Sequence, residues 1–174
     1  MPLFGGSSRP KLDGLTREEE KRRDSLNPEV LRRSGEQGVA GQGPSALAVL
    51  KEKVADEGDF IWRLLLGRQL ISMHRFTAAI DAFNDAIERE RTEVRGYYGA
   101  GLSYFQAAEA KLNLGDAVTD EMAPMDLTVD NLYQESLRCF RRATELTNEK
   151  SERDELGKAS AAVEKALARK AGRL

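Results

Sequence analysis

Two side chains in this sequence carry the kind of group that does chemistry near neutral pH, His74 and Cys139, and neither has company. A histidine acts as a general base when a nucleophile lies within reach and a third group orients the ring. His74 is the only histidine, it falls in a Met73-His74-Arg75 turn, and the chain has no nucleophile elbow for it to serve. Cys139 adjoins Phe140 on an apolar helix face, with no histidine at hand to draw off its proton. Asp116, Asp120, Glu121, Asp126 and Asp130 are rich in oxygen but lack the Asp-x-Asp-x-Asp-Gly spacing of a calcium loop. Asp126 or Thr128 reads more simply as a helix cap, and Met122 and Met125 beside them as gap-fillers. Glycine-rich phosphate loops ending in Lys-Ser or Lys-Thr are absent. The expectation is no enzyme, no cofactor, no metal and no small-molecule substrate.

Charge narrows the partners no further. The chain has 174 residues, with 27 Lys and Arg against 29 Asp and Glu, so no bulk field favours nucleic acid or an acidic membrane. The basic pieces, Lys21-Arg22-Arg23 and Arg138 with Arg141-Arg142, are interleaved with acids and read as solvated faces. No apolar run approaches the roughly 20 residues of a membrane span, and Met1-Pro2-Leu3-Phe4-Gly5-Gly6 lacks the apolar core of a secretory signal. One cysteine permits no internal disulfide. These features lead us to expect a soluble, cytoplasmic protein without nucleic-acid or membrane partners.

The elements that position these residues are helical by their spacing. Residues 1–43 mix Gly, Ser, Pro and charge, with Leu12, Leu15, Leu26, Val30 and Leu31 appearing singly, and are expected to form a flexible or extended tail. Within it Thr16-Arg17-Glu18-Glu19 has the form of a capping box, and Asn27-Pro28-Glu29 could start a second short helix. The glycines from Gly35 to Gly43 read as a connector. A helical domain is expected over 44–174, opening with a helix over 45–57 that carries Leu47, Leu50 and Val54. Helix A1 should run from about Phe60 to Met73, and helix B1 from about Arg75 to Glu90 with the stripe Phe76, Ala79, Ile80, Phe83, Ala86, Ile87. Joined by one tight turn, they must pack antiparallel.

The unit then repeats. Shifted by 34 residues, Leu66, Gly67 and Leu70 land on Ala100, Gly101 and Tyr104. The six stripe positions of B1, shifted by 57, land on Tyr133, Ser136, Leu137, Phe140, Ala143 and Thr144. The second unit, 93–147, is therefore split by an insertion at about 113–127. A polar helix over 151–170, with Leu156, Ala159 and Val163 at helical spacing, reads as a terminal cap.

A helix-turn-helix repeat of this length, with Leu66-Gly67-x-x-Leu70 and Ala79-x-x-x-Phe83-x-x-Ala86, then Ala100-Gly101-x-x-Tyr104 and Ser136-x-x-x-Phe140-x-x-Ala143, resembles the tetratricopeptide repeat. Trp62 stands one residue early for the usual aromatic, and Arg91 and Asn148 stand where a proline follows each B helix. The resemblance implies an all-α fold, a short right-handed α-solenoid of stacked hairpins. It also implies a concave groove lined by the A helices. Ile61, Leu64, Arg68, Ile71 and Ser72 of A1, with Arg95, Tyr98, Leu102, Phe105 and Gln106 of A2, would line it. That mixture of apolar groups and two arginines suits a peptide or helix bearing a carboxylate. The implied function is a non-enzymatic adaptor or scaffold for another protein. Two alternatives stand beside it: a structural subunit or assembly factor, completed by self-association or a larger complex, and a groove covered by the chain's own N-terminal segment or helix 45–57.

Overall fold

The computed structural model describes Leu12, residues 14–36 and residues 46–172, and for 27–36 the backbone alone. Among the described residues every regular element is helical, and no strand occurs. Helix α1 spans Arg17–Glu36 and begins on a reciprocal capping box. Thr16 Oγ1 accepts from the Glu19 N–H at 3.1 Å, and the Glu19 carboxylate accepts from the Thr16 N–H. Pro28 lies inside this one helix rather than at the start of a second. Of the connector expected over Gly35–Gly43, Gly35 and Glu36 belong to α1, and the remainder, with Pro44 and Ser45, lies outside the described residues.

Helix α2, Ala46–Glu57, stops at Gly58, whose φ of 66° suits a residue without a Cβ. Asp59 starts α3, Phe60–Ser72, by accepting from the Trp62 N–H at 3.1 Å. Helix α3 ends in a turn where His74 takes φ 57°, and α4 follows at Phe76–Arg89. Helix α5 runs over Val94–Leu114 and continues as a 3-10 turn to Ala117. A second reciprocal box, Thr128 with Asn131, opens α6, Val129–Leu146. Helix α7, Lys150–Ala171, is the last described helix.

From α2 onward each helix packs on the next; in addition α3 touches α5 and α5 touches α7, while α1 rests on α2 and α3. Phe83 of α4 shows why α3 and α5 come so close. A Cβ on Gly67 would stand 2.7 Å from its ring, and one on Gly99 would stand 2.2 Å from it. The glycines let two helices close on one aromatic ring. Gly101 repeats the arrangement one hairpin later, where a Cβ would meet the Phe140 ring at 2.6 Å. Ser136, which stands where the first hairpin has Ala79, donates its buried hydroxyl to Gly101 O at 2.7 Å, so a polar group is tolerated there.

Apolar burial forms two adjoining clusters. One joins Leu47, Val49 and Leu50 with Trp62, Leu64, Leu70 and Phe83; the other joins Tyr98, Leu132, Tyr133 and Phe140 with Leu156 and Val163. The insertion folds back on the bundle. Lys111 Nζ donates to the carbonyls of Pro124, Met125 and Leu127 at 3.1, 3.3 and 2.6 Å. The first turn of α4 has no side-chain cap, and Glu121 O accepts from its Thr77 N–H instead, at 3.1 Å. No described helix is long and apolar enough to cross a membrane.

Candidate functional site

Arg68 on α3 and Arg95 on α5 converge on one target, the stretch from Leu12 to Glu19 of the same chain. Arg68 Nη2 donates to Leu12 O at 3.0 Å and to Gly14 O at 3.2 Å. Arg95 Nη1 donates to Gly14 O at 2.9 Å and to Glu19 Oε2 at 2.6 Å. Two guanidinium forks spread over two carbonyls and a carboxylate suit this task, because each presents several donors in one plane. Glu19 is 2% exposed and Arg95 8%, so this is a desolvated ion pair. Such a pair is costly to bury and costlier to break from one side.

The apolar residues expected beside the arginines meet the same stretch. Leu12 is fully buried in the cluster of Tyr98, against which Ile71, Leu102 and Phe105 also pack. Leu15 and Leu26 join the cluster of Leu64, together with Ile61. All eight residues expected to line the groove are buried or half-buried, and the chain's own segment lies over this face. Of the two flanking polar positions, Gln106 is half-buried and Ser72 is exposed, with its hydroxyl donating to Gln69 O.

Helix α7 supplies a residue that the sequence reading missed. Glu155 Oε2 accepts from the Leu12 N–H at 3.0 Å. The signal was present, since the 57-residue shift that relates the B helices carries Tyr98 onto Glu155 and so makes α7 a third lining helix. Further along, Arg22 of α1 pairs with Asp59 and lies 5.3 Å from the centroid of the Trp62 ring. Its guanidinium is held above the ordinary arginine pKa: desolvation opposes this, and the Asp59 and Glu18 carboxylates outweigh it.

The groups weighed for catalysis lie elsewhere. His74 is exposed and meets Phe76 edge-on, with ring centroids 5.7 Å apart. Cys139 lines a separate concavity of about 590 Å³ with Tyr97, Tyr104, Glu135, Arg138 and Arg142. Burial, reinforced by Glu135, pushes its thiol up to about 12, so the sulfur is protonated at neutral pH. Among the described residues no group of three or more His, Cys, Asp or Glu side chains is arranged to hold a metal ion. No family model, curated protein or solved structure matches the chain.

Proposed function

We propose that this chain is an interaction module built on tetratricopeptide-like hairpins, stacked as a short right-handed solenoid, and that α3, α5 and α7 form a groove for a segment of another protein. One observation supports the reading above the rest. The face already holds a peptide segment, and holds it by main-chain carbonyls and one carboxylate, groups that any protein can offer. The arginines give orientation, and Ile71, Leu102 and Phe105 give a partly apolar wall. Arg68→Ala combined with Tyr98→Ala tests the surface. Both changes fall on the groove, and circular dichroism establishes that the variant is folded. Affinity capture followed by mass spectrometry should then lose the partners recovered with the wild type. Unchanged recovery by a folded variant would assign binding to another face.

A further inference from the structure

We infer that the partner segment is a chemical copy of the chain's own Leu12–Leu26 stretch, and that it binds by exchange with that stretch. The segment would present a leucine, a glycine two residues on, and a helix whose first turn carries a glutamate seven residues after the leucine. This inference rests on the groove reading above and adds the identity of the occupant and the manner of its entry.

The occupant is held at few points. Leu12, Glu19 and Leu26 are buried, whereas Arg17, Glu18, Glu20, Lys21, Arg23, Asp24 and Ser25 of α1 are exposed. Helix α1 packs on α2 and α3 and reaches α5 through the Glu19–Arg95 pair. The fit at its centre is incomplete. Glu19 Oε1 is buried, accepts no hydrogen bond, and stands 3.8 Å from Arg68 Nε, so the carboxylate is fully engaged through one oxygen only. A desolvated acceptor without a donor costs free energy while the segment stays docked. A segment of the same chemistry arriving from outside meets the same donors, so how firmly the tethered copy is held decides how readily the two exchange. The arrangement recognises three things at once: an N–H for Glu155, the carbonyls of Leu12 and Gly14 for the arginines, and a carboxylate placed by a capping box. That combination arises where an extended stretch turns into a helix. A helix that is continuous through the site offers no such carbonyls.

The full chain and a fluorescently labelled peptide of residues 11–26 test this directly. With the wild type, the tethered copy should keep the peptide out. Glu19→Gln, which weakens the tethered copy alone, should tighten peptide binding about tenfold, as expected when the competent fraction rises tenfold. A peptide carrying the same Glu-to-Gln change should bind neither protein. The anisotropy of the label reports binding of the peptide to the full chain directly. Arg22→Ala loosens α1 away from the clamp and should give the same gain if Glu19→Gln fails to fold. A folded Glu19→Gln or Arg22→Ala chain that binds the peptide no better than wild type overturns the exchange. In that event, capture that still depends on Arg68 and Tyr98 keeps the groove, and capture that does not depend on them removes both readings.

Discussion

Phe83 is the residue on which the close approach of α3 and α5 depends. Gly67 and Gly99 press on its ring from two helices, so the ring has no free side to which it can retreat. Gly99→Ala should therefore destabilise the fold by about 1–3 kcal/mol through overpacking. Phe83→Ala, which leaves a cavity, should cost about 3–5 kcal/mol. Urea midpoints measure both, and Gly99→Ala should be milder in a Phe83→Leu background. Cys139 offers a second measurement at this scale. Its thiol is raised from an unfolded value near 9 to about 12, and a raised acid keeps its proton better in the folded state. The stability it contributes is complete below pH 9 and is lost as the pH climbs toward 12. At pH 8 alkylation of the native chain should be about two to three orders of magnitude slower than that of the urea-unfolded chain, following the thiolate fractions.

Helix ends and the insertion are secured by groups with separable effects. Thr128 closes a reciprocal box with Asn131, so Thr128→Ala should cost about 1 kcal/mol in a thermal or urea melt. Lys111 ties three carbonyls of the insertion to α5, and Lys111→Met keeps the length of the stem while removing the donors. Hydrogen exchange should then accelerate across 118–128 and at the first turn of α4, which borrows Glu121 O for its Thr77 N–H. Protection within α6 should not change, because its start depends on Thr128. The polar character of the insertion is thus compatible with a structural role. Its Asp and Glu side chains face water while its main chain caps a neighbouring helix.

Across the whole molecule the consequential contact is the one between the N-terminal stretch and three distant helices. Glu19→Ala removes the carboxylate partner of a buried arginine, a change that costs about 3–5 kcal/mol when the structure around it cannot move. Here it can move, because the substitution removes the tie from α1 to Arg95 of α5 and leaves the packing of α1 on α2 and α3 to hold it. The expected outcome is undocking of α1, with the total loss limited to the free energy of docking. Thermal unfolding followed at Trp62 should then precede the loss of helical circular dichroism, whereas in the wild type the two should coincide. Coincident transitions in the variant would mean that α1 and the bundle form one cooperative unit.

Much of the architecture was legible because it is written in local periodicity and in residue size. The 34-residue shift carries Gly67 onto Gly101 and the 57-residue shift carries Phe83 onto Phe140, and small residues at a crossing leave a mark in any sequence. The capping boxes at Thr16 and Thr128 are equally local. What covers the face with Arg68 and Arg95 was decided only by the tertiary structure. Its contacts join residues 54 to 143 positions apart and run largely through the N–H of Leu12 and the carbonyls of Leu12 and Gly14. Main-chain groups are the same at every residue, so no spacing of side chains announces them. They become specific only when folding brings two arginines and a glutamate from three helices to the same place.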